Sequence, residues 1–351
     1  MELPVLGETG LIEFLTRNLN TNHAGVIKGV GDDAAVLKVS NKEWLLLTTD
    51  MLVEDVHFSL SYVSPAQIGI KAMVASVSDI AAMGGRPVHA VVSLGVPPRL
   101  SVEVLEGVYA GLRQAAGEYG VNIVGGDTVK SPGRLIINVA LLGSVEAGQA
   151  VYRSGARPGD LIFVTGSLGN SAAGLYLCQN PDINVSLEAA AFLKLAQLEP
   201  RARVKVGRLL SKTGKISSMD DISDGLASEL HEICRASGAG CRIRTAAVPV
   251  DRRMKEAADT IGSDPIDWAL YGGEDFELVF TTPPDSAVLI KKDLEEKVEK
   301  CYLIGEIVPA AEGVKMELPQ GYFVPLEAKG YDHFKGSYPG CRSTGSSWEK
   351  R

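Results

Sequence analysis

The sequence lacks the features that mark several large classes of protein. It has only five cysteines among 351 residues, an odd number with no C-x-x-C pair, which argues against a disulfide framework or a zinc site. No run of 18 apolar residues occurs, and no basic stretch followed by an apolar one begins the chain. We therefore expect a cytoplasmic protein with reduced thiols and no contact with a membrane.

Positive charge is also scarce. Lys and Arg number 35 against 43 Asp and Glu, which gives a formal net charge of −8, and no dense basic patch is present. A protein that binds nucleic acid needs such a patch to neutralise phosphates, so nucleic acid is not an expected partner. An acidic protein that binds nucleotides must hold these polyanions through metal ions rather than through a field of lysines.

Common nucleotide-binding and hydrolytic motifs are missing. There is no P-loop of the form G-x-x-x-x-G-K-[ST], no protein-kinase glycine-rich loop with its catalytic partners, no G-x-S-x-G and no H-E-x-x-H. Any ATP site must therefore be of a different kind. One glycine-rich turn, Gly166–Gly169 before a predicted helix, resembles a phosphate cradle, although a single such turn is a weak signal.

The sequence does contain an alternation of strand-like and helix-like segments. Ser64-Pro65 begins a helix of small residues that ends at Gly84-Gly85, and Ser101 begins a second helix that ends at Gly120. Apolar runs before, between and after these helices are typical of strands. The pattern predicts an α+β domain over residues 1–148, with two helices packed on a mixed sheet.

A change of composition predicts a domain boundary. Gly, Arg and Pro gather near residues 147–159, and a second β/α pattern follows, including a helix expected directly after the sequence SSMDDISDG. We expect an α/β domain over residues 149–335. The Gly- and Ser-rich segment 336–351 is predicted to be a disordered tail.

Acidic residues beside Gly, Ser or Thr recur at the ends of predicted strands and in turns. They are Asp32, Asp33, Asp50, Asp127, Asp220, Asp221, Asp224, Glu274 and Asp275, with Asp79 inside a helical pattern. Each motif alone also fits ordinary turn or helix-capping chemistry. If several converge, two carboxylates about 4 Å apart repel by about 4 kcal/mol at an effective dielectric near 20. Such a cluster must retain protons or bind hard cations, and its oxygen ligands suit Mg²⁺.

Three other residues leave two interpretations open. For Lys71 the two interpretations are contact with a phosphate and a position at the solvated edge of a core. For His57 they are binding of a substrate and an ordinary place on the surface. Arg153, at the predicted domain junction, clamps a phosphate or is a solvated linker residue.

Taken together, the motifs resemble one known family. They are GDDAAV, TTDMLVEDVHF, KAMVASVSDIAAMGG, GGDTVKSP, RSGARPGD, VTGSLGNSAAGL, DDISDGL, GGEDFEL and KGYDHF. Their order is similar to that in the thiamine-monophosphate kinases, a family of the aminoimidazole ribonucleotide synthetase-like superfamily. The resemblance covers about residues 7–334.

The resemblance implies an activity and a set of site residues. It implies ATP-dependent phosphorylation of thiamine monophosphate to the diphosphate by direct in-line transfer with several Mg²⁺ ions, in a homodimer formed through the N-terminal domain. The implied magnesium ligands are Asp33, Thr48, Thr49, Asp50, Asp79, Asp127, Asp221 and Asp224, of which Asp127 and Asp224 are also the implied catalytic residues. The implied nucleotide contacts are Tyr109, Gly126, Asp127, Arg153 and Ser223. The implied contacts to thiamine monophosphate are His57 and Glu274.

One position departs from the family pattern. Some members carry an aromatic residue just before the KGYDHF ending, placed to stack on the thiamine rings, where this chain has Ala328. Tyr331 and Phe323 are the candidates to replace it.

Two other classes of function are alternatives. One is a different ATP-dependent enzyme of the superfamily, either selenophosphate synthetase-like or an amide-activating synthetase; the former expects a reactive cysteine near the N-terminus, and none precedes Cys178. The other is a non-catalytic nucleotide-binding module, which seldom needs so many metal ligands.

Overall fold

The computed structural model describes residues 3–17, 19, 24–298, 300–318 and 320–334, and the predicted tail 336–351 lies outside these ranges. Its α-helices are α1 (Leu3–Thr16), α2 (Pro65–Ala82), α3 (Val102–Tyr119), α4 (Asn170–Gln179), α5 (Leu187–Leu198), α6 (Val204–Thr213), α7 (Leu226–Ser237), α8 (Arg252–Ile261), α9 (Pro265–Tyr271) and α10 (Pro284–Lys297). Its strands are β1 (Val26–Lys28), β2 (Ala35–Lys38), β3 (Glu43–Val53), β4 (Arg86–Val96), β5 (Asn122–Lys130), β6 (Ile136–Glu146), β7 (Leu161–Thr165), β8 (Ser218–Ile222), β9 (Ala239–Arg244), β10 (Glu277–Thr282), β11 (Cys301–Pro309), β12 (Val314–Glu317) and β13 (Phe323–Pro325).

The strands form two separate sheets, one for each half of the chain. The first has six strands in the order β1-β2-β3-β6-β4-β5, and β4 and β5 are parallel while the other pairs are antiparallel. The second has seven strands in the order β13-β12-β9-β11-β7-β10-β8. The predicted fold class, a mixed sheet with two helices followed by an α/β domain, is confirmed.

The two sheets bury their cores differently. In the first domain α2 and α3 pack on one face of the sheet, and the other face is exposed. In the second domain both faces carry apolar clusters, one with α4, α7, α8 and α9 and the other with α6 and α10. A two-layer domain therefore adjoins a three-layer domain.

Helix α2 is the element that joins the two domains. The Ser64 hydroxyl accepts the Gln67 N–H, the Gln67 side chain accepts the Ser64 N–H, and Pro65 occupies the first helical position. The sequence predicted the N-cap at Ser64 and the proline after it, but not the contact with Gln67. The helix is buried on nearly every side. Its polar residues include the buried Lys71, Ser76 and Ser78 and the partly buried Asp79. Buried polar groups need partners, and these four find them at the candidate site.

The structure corrects the predicted positions of several aspartates. Asp50 and Asp127 lie in the interiors of β3 and β5, not at strand ends. Asp220 and Asp221 belong to β8, a strand that the sequence analysis did not predict, whereas α7 begins after Gly225, as predicted. The reason is tertiary, because a strand can carry acids in its interior where one of its faces borders other polar groups rather than an apolar layer.

Within the described ranges, no helix combines the length and apolar composition needed to cross a bilayer. Cys178, Cys234, Cys241 and Cys301 are free thiols, the last three of them buried. Cys341 lies outside the described residues.

Candidate active site

A cleft of about 630 Å³ lies where the two domains meet. Its lining is acidic and aromatic: it includes Glu8, Asp50, Asp55, His57, Tyr62, Asp224, Tyr271, Glu274, Tyr331, Asp332 and His333. Within the part of the chain that the structure describes, no lysine or arginine lines it. An anionic ligand entering this cleft would therefore need cations to accompany it.

Three carboxylates form a buried cluster beside the cleft. Asp33, from the β1–β2 loop, and Asp220 and Asp221, from β8, offer one oxygen each within 4.8 Å of one another. The side chains of Asp33 and Asp220 are 1% and 0% exposed. Asp33 Oδ2 is buried, and no hydrogen-bond donor faces it among the described residues. The cluster thus has an excess of acceptor oxygens, as expected of a site that binds a hard cation.

Arg153 partly neutralises this cluster. Its Nη2 lies 2.5 Å from Asp33 Oδ1, its Nε donates to Asp220 Oδ1 at 3.1 Å, and its backbone N–H donates to Asp32 Oδ1 at 3.0 Å. One cation therefore faces two buried carboxylates. The interpretation of Arg153 as a solvated linker residue is wrong, because its side chain is largely buried between carboxylates from both domains.

A second group of acids extends the cluster along β3 and α2. Thr48 and Asp50 point inward from alternate positions of β3, where the Thr48 hydroxyl donates to Asp79 Oδ2 and the Ser76 hydroxyl donates to Asp50 Oδ2 at 2.8 Å. The Ser78 hydroxyl donates to Asp221 Oδ2 at 2.5 Å and so links this group to β8. The polar residues of α2 thereby meet acids from both domains.

Burial and mutual repulsion raise the pKa values of these acids. Burial, with repulsion from Asp33, raises the pKa of Asp221 to about 8. The pKa values of Asp79 and Asp220 rise well above the usual range, chiefly through burial, and that of Asp50 is raised for the same reason. Burial therefore favours the protonated forms of these acids when no cation is bound, and a bound cation would displace the protons.

Asp224 lies on the β8–α7 turn and lines the cleft with Ser223. Its backbone N–H donates to the buried Glu229 carboxylate at 2.8 Å, which fixes the turn. Burial, then repulsion from Glu8, raises the pKa of Asp224 to about 7. Gly225 has φ +104, and a side chain there would collide with the 270–272 backbone. The tight SDG turn therefore requires glycine.

His57 lines the same cleft as a neutral donor. Its Nδ1 accepts the Val53 N–H at 3.0 Å, and burial lowers its pKa. In the neutral ring the proton then lies on Nε2. The ring also lies 5.0 Å from that of His333, between centroids, and Tyr331 packs edge-on against His333.

Glu274 lines the cleft in a strained backbone conformation with φ +63. Its Oε2 accepts from Lys71 Nζ at 2.7 Å and from Gln197 Nε2 at 2.8 Å. Lys71 is therefore neither at a solvated edge nor free to meet a phosphate, because its ammonium is buried against Glu274.

Four of the residues implied by the resemblance lie apart from the acidic cluster. Thr49 points to the exposed face of the first sheet, where its hydroxyl oxygen accepts a hydrogen bond from the Asn138 side chain. Thr49 also contributes to the lining of the cleft. Asp127 is exposed on β5, three strands from Asp50 across the sheet, or about 14 Å at the usual strand spacing. Tyr109 packs against the first domain's core. Their assigned roles stay predictions.

Gly126, the fourth, has a structural explanation. A Cβ there would lie 1.8 Å from the Val92 carbonyl oxygen, so glycine allows β4 and β5 to approach each other. Its predicted nucleotide contact also stays a prediction.

The turn Gly166–Gly169 holds a carboxylate of the protein itself. Asp275 Oδ2 accepts the Gly169 N–H at 2.6 Å and Asp275 Oδ1 accepts the Ser171 N–H at 3.2 Å, at the beginning of α4. The donors that would cradle a phosphate are therefore already in use.

The sequence analysis did not assign a role to several residues of this site. Asp220 was among the candidate acids but was not assigned as a ligand, although it is the most buried member of the cluster. Ser76, Ser78 and Glu229 were not singled out. Serines spaced two apart in an apolar helix, SVSD, were the available signal, since a buried hydroxyl implies a polar neighbour.

Comparison with known proteins identifies the class and then the family. Residues 31–145 match the family described as AIR synthase related protein, N-terminal domain, and residues 157–316 match its C-terminal domain. The chain is thus a two-domain AIR synthase-related protein. It is 38% identical over 333 residues to the thiamine-monophosphate kinase of Bacillus subtilis (strain 168), covering 94% of this chain and 100% of that one. It belongs to the thiamine-monophosphate kinase family.

Two further relatives support this membership. The thiamine-monophosphate kinase of Salmonella typhimurium (strain LT2) is 36% identical over 93% of this chain and 98% of its own. The solved structure "AaThiL complexed with AMPPCP and TMP" is 35% identical with a TM-score of 0.83, over 95% of this chain and 99% of that one.

Proposed function

We propose that this protein transfers the γ-phosphoryl group of ATP directly to thiamine monophosphate, forming thiamine diphosphate. Family membership supports this activity, as does the similarity to AaThiL complexed with AMPPCP and TMP. The observation that carries the proposal is the buried cluster of Asp33, Asp220 and Asp221 beside an acidic cleft between the domains. Both reactants are anions, so their mutual repulsion is the main obstacle to in-line transfer.

Magnesium fits the donor set of this site. All its ligands would be oxygens, from carboxylates and the Thr48 hydroxyl, and Asp33 Oδ2 lacks a donor partner among the described residues. We propose that Asp33, Asp50, Asp79 and Asp221 hold Mg²⁺, with Asp220 as an additional ligand. When bound, Mg²⁺ would supply positive charge that offsets the negative charge of the phosphate oxygens.

The chain's own groups position the reactants. Arg153 provides a guanidinium that can leave its carboxylates for a phosphate once a cation replaces it, which suits the predicted nucleotide contact. His57 Nε2–H, a neutral donor on the cleft wall, would hold the acceptor phosphate. No general base is required, because an acceptor phosphate oxygen is already ionised near neutral pH. Asp224 and Ser223 lie on a fixed turn between these groups.

The acidic and aromatic wall of the cleft suits the cationic rings of thiamine. Tyr331 lines the cleft, whereas Phe323 lies on β13 in another groove, against Arg242. Ala328 is exposed and does not line the cleft. Tyr331, with Glu8 and Asp332 beside it, is therefore our candidate to hold the heterocycle.

We further propose a homodimer formed through the first sheet. The face away from α2 and α3 exposes Leu47, Met51, Val91 and Val129, an apolar surface that suits a second copy. Asp127 lies on this same side, so pairing would bring it near the partner chain and account for its distance from Asp50. The use of ATP as co-substrate and the free thiols of the described cysteines support a location in the cytoplasm.

A coupled assay tests the activity. Purified protein with ATP and Mg²⁺ should release ADP only when thiamine monophosphate is present, and should yield thiamine diphosphate in equal amount. Asp221→Asn should lower kcat by about two or more orders of magnitude, because the cluster loses a cation ligand. Asp259→Asn, an exposed acid on α8, should leave it unchanged.

Two results would contradict the proposal. ADP release without thiamine monophosphate would favour another synthetase of the superfamily. ATP binding with no turnover would favour a binding module.

A further inference from the structure

Lys71 is a buried cation inside α2, with 4% of its side chain exposed. An ammonium removed from water costs several kcal/mol unless it is paired and hydrogen-bonded. Its partner is Glu274 Oε2, at 2.7 Å. Lys71 is not among the residues that line the cleft, whereas Glu274 is. The cation therefore reaches the site only through the carboxylate.

Two helices, one from each domain, provide donors to this one oxygen. Lys71 comes from α2 of the first domain, and Gln197 Nε2 donates from α5 of the second at 2.8 Å. The Gln197 Oε1 accepts from the Ser171 hydroxyl, so the orientation of the amide is also fixed. Glu274 Oε2 thus has two donors held in place by buried side chains.

The other oxygen of Glu274 has no such partners. For Oε1, no donor is seen among the described residues, and the side chain keeps 28% of its surface exposed toward the cleft. The backbone of Glu274 is strained, with φ +63, and its N–H donates to the Ser223 carbonyl at 2.6 Å. A non-glycine residue in this region is destabilising, and surrounding contacts must offset the strain. Such strain persists where the direction of a side chain matters.

We infer that Lys71 is a positioning residue for the acceptor substrate. Together with Gln197 it occupies Oε2 and turns Oε1 of Glu274 into the cleft, where that oxygen accepts a hydrogen bond from an N–H donor on the cationic rings of the acceptor. Lys71 also offsets the negative charge of Glu274, which lies close enough to Asp224 to raise its pKa. The inference rests on the proposed function, because it takes thiamine monophosphate as the acceptor, for which the family resemblance implies a contact with Glu274.

The test separates acceptor binding from nucleotide binding. Lys71→Met keeps the aliphatic stem and removes the ammonium. We expect the KM for thiamine monophosphate to rise about tenfold or more, and the KM for ATP to stay within about twofold. Lys71→Arg, which retains the charge, should recover part of the loss.

A double-mutant cycle tests whether Lys71 acts through Glu274. Glu274→Gln should raise the KM for thiamine monophosphate by itself, and adding Lys71→Met should then change it little. Additive effects, equal rises in both KM values, or an unchanged KM in Lys71→Met would overturn the inference. If Lys71→Met does not fold, Gln197→Leu gives the same comparison from the second domain.

A matched control and a binding measurement complete the design. Arg208→Met breaks another ion pair between the domains, which joins the buried Arg208 to the more exposed Glu146 at 2.7 Å, away from the cleft. It should lower Tm without changing either KM. If the wild-type protein fails to phosphorylate thiamine monophosphate, the proposed function is wrong, and calorimetric titration with thiamine monophosphate then decides the inference. Weaker binding by Lys71→Met supports it, whereas equal binding or no binding by either protein overturns it.

Discussion

Replacing Arg153 by methionine tests the idea that a cation belongs at the carboxylate cluster. Arg153 lies 2.5 Å from Asp33 and 3.1 Å from Asp220, both fully buried. At an effective dielectric of 20, attraction at 3.1 Å amounts to about 5 kcal/mol. Two ionised carboxylates of the cluster, which lie within 4.8 Å of each other, repel by at least about 3.5 kcal/mol on the same scale. The variant loses the attraction and keeps the repulsion.

The expected loss of stability follows from these terms. Removing one partner of a buried ion pair costs about 3–5 kcal/mol. For a domain of this size each kcal/mol lowers Tm by about 2–4 °C, so a fall of roughly 10 °C is expected in EDTA. The fall should be smaller at pH 5 than at pH 8, because protonated acids no longer repel.

Magnesium should restore much of what Arg153→Met removes. A cation present at about 100 times its Kd stabilises the folded state by about 2.7 kcal/mol. The assay is thermal unfolding in EDTA and in MgCl₂, with Arg208→Met as the control, since Arg208 pairs with Glu146 outside the cluster. If Mg²⁺ raises the Tm of both variants equally, or of neither, the cluster is not a cation site.

Two further predictions concern pH and assembly. Because the pKa of Asp221 is raised from 3.8 to about 8, the folded protein holds more protons than the unfolded chain between these values. Without Mg²⁺ the stability of the folded protein should therefore fall as pH rises from about 4 to 8. The gain in Tm from Mg²⁺ should be larger at pH 8 than at pH 5, and Asp221→Asn should reduce this difference. Equal gains at the two pH values in the wild type would contradict the prediction. Met51→Glu, on the exposed face of the first sheet, should convert the dimer into a monomer, as measured by light scattering. Leu187→Glu, at an even more exposed apolar residue of α5, should not, and a monomeric wild type would refute the dimer.

Local signals in the sequence were sufficient to predict much of the fold. The Ser64-Pro65 beginning and the Gly84-Gly85 end of α2 depend on contacts within a few residues, so they could be predicted from the sequence. Strand β8 could not be, because SMDDI has neither the alternation nor the apolar character of a strand. Its aspartates are buried only through distant groups, as Ser78 and Arg153 show.

The candidate site could be predicted in its residue types but not in its pairings. Acids beside glycines, together with the resemblance, pointed to Asp33 and Asp221. The contact between Lys71 and Glu274 spans 203 positions of the chain and leaves no local pattern. Adjacent acids such as Asp220 and Asp221 were ambiguous, because in a strand neighbours face opposite sides, and only the packing shows that both are buried in polar surroundings.

The carboxylate of Asp275 at the beginning of α4 affects how strongly the reaction should depend on magnesium. Many nucleotide-binding proteins hold phosphates with main-chain amides, so part of their affinity survives when divalent ions become scarce. Here the corresponding amides, of Gly169 and Ser171, donate to the Asp275 carboxylate of the protein itself. The rate of thiamine diphosphate synthesis should then depend steeply on the concentration of free magnesium.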